Sequence, residues 1–72
     1  MHTQTQNFTT VRDGAVLLWR VGWNSPLCTV ARGAIAAITY GDSITVTFPD
    51  GSSTLFRITP NGSNAYPVRT LR

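Results

Sequence analysis

With 72 residues, one cysteine (Cys28) and one histidine (His2), the chain has room for a single small domain and excludes an internal disulfide and any usual zinc-ligand spacing. A domain this small buries only about 60% of its unfolded surface, so tight packing, self-association or a partner must supply the stability that staples supply elsewhere. The net charge is +3 and all six basic residues are arginine, with no lysine and no glutamate; codon bias accounts for this usage on one reading, and on the other it marks a surface that meets an acidic partner.

Met1–Thr10 is polar, with Phe8 as its apolar residue, and reads as a flexible tail ahead of one domain over 11–72. It lacks the basic start and apolar core of a secretory signal, and no run reaches the roughly 18 apolar residues of a membrane span, so a cytoplasmic protein is expected. Asp13-Gly14 is a turn pair. Ala15–Trp23 (AVLLWRVGW) is rich in β-branched and aromatic residues and reads as a strand. Alternation puts Leu17, Trp19, Val21 and Trp23 on one face and Val16, Leu18 and Arg20 on the other, with Arg20 expected opposite the core. Asn24-Ser25-Pro26 breaks the run, and Leu27–Arg32 is a second strand.

Ala34–Tyr40 is ambiguous. Ile35 and Ile38 are three apart and three alanines favour helix, yet the run is short and ends in Ile-Thr-Tyr. A bulged strand is the preferred reading, and a helical turn near 33–38 stays open. Beyond the turn at Gly41-Asp42-Ser43, Ile44, Val46 and Phe48 alternate with Thr45 and Thr47. Pro49-Asp50-Gly51 supplies a fixed φ, a side chain that caps its own turn, and a residue that accepts positive φ. Opposing Phe48 to Ser52 sets Val46 across from Thr54 and Ile44 across from Phe56. Ile44, Val46, Phe48, Phe56 and Ile58 then share one face, and Thr45, Thr47, Leu55 and Arg57 the other. After the loop 59–64, Ala65–Leu71 is a last strand, and Pro67, lacking a backbone donor, confines it to a sheet edge. The expected fold is mainly all-β: one small antiparallel sheet, or a partly open barrel, of about four or five strands.

Catalysis is not expected. His2 lies in the tail, Asp13, Asp42 and Asp50 each lie in a turn, and Cys28 has no companion base and reads as a small buried hydrophobe. No metal site or cofactor is expected, and the scattered glycines form no phosphate-binding loop. Binding is the better reading. Arg12, Arg20, Trp23, Arg57, Arg69 and Arg72 are the candidate partner-binding residues, with Trp19 assigned to the core. Arginines interleaved with aromatics suit protein hot spots and also single-stranded nucleic acid, but +3 is a low charge for a dedicated nucleic-acid binder.

The segment ARGAIAAITYGDSITVTFPDG resembles the core of small β-barrel modules of the KOW, Tudor and Src-homology type, through Gly33, Ile35, Ile44, Val46, Phe48 and Gly51. The resemblance implies a binding module, and KOW-type barrels commonly touch RNA polymerase, ribosomal proteins or RNA. In size and character the chain is also similar to the small regulators encoded by bacteriophages, several of which dock on host RNA polymerase. The function expected is therefore a phage-encoded, non-enzymatic regulator of host transcription that binds a bacterial RNA polymerase subunit. A single-stranded nucleic-acid binder and a small phage structural or anti-defence protein are the alternatives.

Overall fold

A computed structural model describes residues 6–71, and over them the chain is all-β. Its seven strands are β1 (Asn7–Arg12), β2 (Ala15–Arg20), β3 (Cys28–Ala31), β4 (Ala36–Tyr40), β5 (Ser43–Thr47), β6 (Ser53–Ile58) and β7 (Ala65–Leu71). They form two antiparallel sheets, β1-β2-β3 and β4-β5-β6-β7, in which every strand pairs with its sequence neighbour. The all-β antiparallel class is the one expected; the strands number seven, in two sheets, rather than four or five in one. The barrel is not closed: β1 lies beside β4, where the Thr9 and Thr39 hydroxyls meet at 2.8 Å, and no ladder joins the two.

One expectation fails and another holds only in part, each for a local reason. The expected tail includes Asn7–Thr10, which instead form the first four of the six residues of β1; its residues 1–5 lie outside the described range. Asp13 and Gly14, with φ of 51° and 78°, make a two-residue turn of mirror-image type that folds the β1 segment back onto β2 from Arg12↔Ala15 to Asn7↔Arg20. The Gly14 carbonyl also accepts the Ala34 N–H at 2.9 Å, so this turn touches the start of the second half of the chain. Over Ala34–Tyr40 the preferred strand is present as β4, but it starts at Ala36 and has no bulge, and no helical turn precedes it. Pairing is regular from Ala36↔Thr47 to Tyr40↔Ser43, and Ile35 and Ile38 are exposed. Their three-residue spacing reflects a bend before Ala36, not a helical face.

The hairpin at the centre of the chain has the register that its alternation dictates: Val46 opposes Thr54 and Ile44 opposes Phe56. Phe48 N–H donates to Ser52 O and Gly51 N–H to Phe48 O, at 2.9 and 3.0 Å, with Gly51 at φ 89°. Asp50 Oδ1 accepts from the Ser52 amide and hydroxyl. Pro67 lies in β7, an edge strand, as its missing donor requires, and the ladder is irregular beside it between Leu55 and Phe56.

The core sits between the sheets. Val16 and Leu18 face it from β2, Ile44 and Val46 from β5, and Phe56 and Ile58 from β6, with Ala34 closing one end. Among the described residues no polar or charged side chain is buried with them. The β2 assignment is therefore reversed relative to the alternation reading: the Val16–Leu18–Arg20 face points inward, and Leu17 and Trp19 point outward. Both faces of β2 are apolar enough that sequence pattern alone does not choose between them. The strand also stops at Arg20, because Val21-Gly22 turn the chain, with Trp23 N–H donating to Arg20 O at 3.0 Å.

Candidate partner-binding surface

The outer face of the four-stranded sheet is a surface whose composition follows from register. Antiparallel partners share a face, so side chains line up in rows across the strands. One row runs Tyr40, Ser43, Arg57, Tyr66, and the next runs Ile38, Thr45, Leu55, Arg69. A row that crosses four strands spans about 14 Å, and neighbouring rows are about 7 Å apart. Tyr40 is 85% exposed and Ile38 69%; Tyr66, Arg57 and Arg69 are exposed as well. Ser43 and Thr45 on β5 are the short members of these rows, so Tyr40 and Ile38 on one side and Arg57 and Leu55 on the other flank a hydroxyl-bearing strip.

The electrostatics of this face are mostly positive. Arg57 lies 3.8 Å from Asp42 in the β4–β5 turn, with both side chains about half exposed or more. That separation is longer than the 2.7–2.9 Å, roughly, of a strong charge-assisted hydrogen bond. An exposed pair of this kind contributes about 0–1 kcal/mol. Among the described residues this is the only ion pair, so Arg69 has no carboxylate partner there.

Arg20 and Trp23 do something else. Arg20 ends β2 on its inner face, opposite Asn7. Its Nη2 donates to the Asn61 carbonyl at 2.8 Å, its guanidinium carbon stands 5.0 Å from the centre of the Trp23 ring, and its Nε is buried without a partner. Asn7 Nδ2 donates to both the Trp19 and the Gly62 carbonyls at 2.9 Å. Together Asn7 and Arg20 clamp the β6–β7 loop of one sheet to the other. Arg20 is thus not on a face opposite the core, as alternation suggested; its hydrogen bond is internal, while Trp23 remains 54% exposed beside it. Trp19 is not in the core either. It stacks on Phe8 (centroids 6.0 Å apart, planes at 5°) and donates from Nε1 to Thr10 Oγ1 at 2.8 Å on the outer side of the three-stranded sheet.

Of the six residues picked from sequence, Arg57 and Arg69 come together on one face. Arg20 and Trp23 form the clamp, Arg12 is exposed at the end of β1 on the other sheet, and Arg72 lies outside the described residues. Tyr40, Tyr66 and Ile38 are the surface residues that the selection missed. The hairpin register alone does not reach them; they join Arg57 and Leu55 only through the β4–β5 and β6–β7 pairings.

Nothing on this surface assembles a catalytic group. Asp13, Asp42 and Asp50 lie in three different turns, and no cluster of three potential metal ligands occurs among the described residues. Burial pushes the Cys28 thiol above its usual range, with the Ala65 backbone only partly offsetting this, so the sulfur is a poor nucleophile. A shallow depression of about 450 Å³ is lined by Thr59, Pro60, Asn61, Ser63 and Asn64. Its polar groups bond one another: Asn61 Oδ1 accepts from Thr59 Oγ1, Ser63 N and Ser63 Oγ. Neither the family models, the curated proteins nor the solved structures contain a match to this chain.

Proposed function

We propose that this chain is a small non-enzymatic regulatory protein, phage-encoded, that docks on a bacterial RNA polymerase subunit and modulates host transcription. The observation that supports docking is the outer face of the four-stranded sheet, where Ile38, Tyr40 and Tyr66 are exposed beside Arg57 and Arg69. Exposed aromatics and arginine on one rigid surface are the residue types that dominate protein hot spots. The KOW-like pattern over 33–51 makes a polymerase subunit the first partner to test. Affinity purification of the tagged chain from bacterial lysate, read by mass spectrometry, should recover a polymerase subunit. Recovery of none overturns the assignment.

A second reading draws on the row Tyr40–Ser43–Arg57–Tyr66, because bases of a single strand can stack on tyrosines while arginine meets the backbone. In that case log affinity for an oligonucleotide falls linearly with log salt. A flat response rejects it.

A further inference from the structure

The Arg57–Asp42 pair is loose, and it lies on the face that carries Arg69. We infer, on the reading of this chain as a protein-docking module, that this face takes a carboxylate-bearing segment of the partner laid across the strands. Arg57 and Arg69 are its anion-binding groups, and Asp42 is an internal carboxylate that the partner displaces from Arg57. Arg57 pairs with Tyr66, and Arg69 pairs with Leu55 in the next row, so the two arginines are diagonal cross-strand neighbours. Diagonal neighbours in a ladder are about 7–8 Å apart, somewhat less at Cβ, within reach of two carboxylates on one extended segment.

Asp42 shows that a carboxylate comes to Arg57 at this place, and 3.8 Å leaves guanidinium donors free for a closer, two-point contact. Tyr40 and Tyr66 at the two ends of the row add large contact area at low entropic cost, each with a polar tip. A second copy of the chain is a poor occupant, because beside the two arginines it offers only Asp42, a carboxylate already taken up by Arg57. A nucleic acid is less well matched than an acidic segment, since among the described residues Arg12 and Arg20 lie on the other sheet and Arg32 in the connection between β3 and β4, which leaves Arg57 and Arg69 as the arginines of these rows.

The test is a titration of the ¹⁵N-labelled chain, followed by amide shifts, with three probes of equal length: hexaglutamate, hexalysine and oligothymidylate. Hexaglutamate is expected to shift Thr45, Leu55, Arg57 and Arg69. Its affinity should fall about tenfold in the exposed double variant Arg57→Gln/Arg69→Gln, and rise about two- to fivefold in Asp42→Asn, the change that an exposed ion pair represents. Shifts confined to Arg12 and the 20–24 turn, no response to hexaglutamate, or an unchanged affinity in Asp42→Asn overturn the inference. Tighter binding of oligothymidylate on the same face also overturns it and installs the nucleic-acid reading. The result is separable from the polymerase assignment. If lysate yields polymerase equally with the double variant, docking stands and this surface fails. If hexaglutamate behaves as described and polymerase is not recovered, the surface stands and the partner fails.

Discussion

Arg20 and Arg57 end up in opposite situations although both lie in six-residue β-strands that contribute to the core. Arg20 is at the inner end of β2, stacked on Trp23 and bonded to the Asn61 carbonyl of the other sheet. Arg57 stands on the outer face of β6, half exposed, against a single carboxylate at 3.8 Å. One arginine has been incorporated into the scaffold, and the other is left to the solvent. The difference comes from parity along the strand, since a one-residue change of phase exchanges the two roles. It teaches that a basic residue on this chain becomes a candidate contact only once the inner face has been assigned.

The largest effect that tests this division is in the core. Leu18 is fully buried, whereas Leu55 is only half buried on the outer face. Leu18→Ala should lower stability by about 2–5 kcal/mol, a large share of what so small a domain holds. Leu55→Ala should cost about 1 kcal/mol or less, as for substitutions away from core packing. Urea midpoints at a constant m-value measure both. Equal losses would mean that β6 is buried on both faces and that no open surface exists.

The clamp comes next. Asn7→Ala removes two hydrogen bonds that join the three-stranded sheet to its own ladder and to Gly62. It should cost about 1–3 kcal/mol by leaving carbonyls unpaired. Arg20→Ala should fall in the same range, and neither change should reduce partner binding once the fold is intact. Arg57→Gln should do the reverse: about 0.5 kcal/mol or less in stability, with a loss in binding. A variant at Arg20 that keeps its unfolding midpoint but loses partner binding would exchange the roles assigned to the two arginines.

These contrasts also show which parts of the molecule were legible in its residues. The hairpin from Ile44 to Ile58 was legible because two independent signals, alternation and the Pro-Asp-Gly turn, demand one register. The edge position of β7 was legible because Pro67 cannot donate. The phase of β2 was not, since Leu17 and Trp19 look as apolar as Val16 and Leu18, and only packing against β5 and β6 chooses the inner pair. Strand β1 was hidden for a related reason. Asn7 and Thr9 are polar because β1 is an edge strand where they meet a loop carbonyl and a hydroxyl on β4 instead of a core, and Thr10 accepts from the Trp19 indole on the outer side. The candidate surface was half legible. Arg57 and Arg69 can be picked by charge, but Tyr40 and Tyr66 join them only through pairing across four strands.

The smallest expected effect concerns the turn that fixes the legible half. Asp50 Oδ1 accepts from the Ser52 hydroxyl and amide, and these bonds hold its carboxyl below the ordinary value of 3.8. A carboxyl whose folded pKa is depressed releases its proton more readily in the folded state, so the unfolded chain binds protons first as pH falls. The contribution is therefore fully present above the ordinary carboxylate range and is lost as pH drops through the lower, folded value. Asp50→Asn keeps an oxygen acceptor for Ser52 and removes the titration. Melting temperatures followed from about pH 6 to about pH 2.5 should then fall further for the natural chain than for Asp50→Asn, with the curves separating only in the acid limb. The remaining carboxyls are common to both proteins and cancel in the difference. Because Asp50 is fully exposed, the separation should be small and should shrink with added salt. Parallel curves would show that the turn is held by Pro49 and Gly51 without the aspartate, and that the register of the outer face rests on backbone geometry alone.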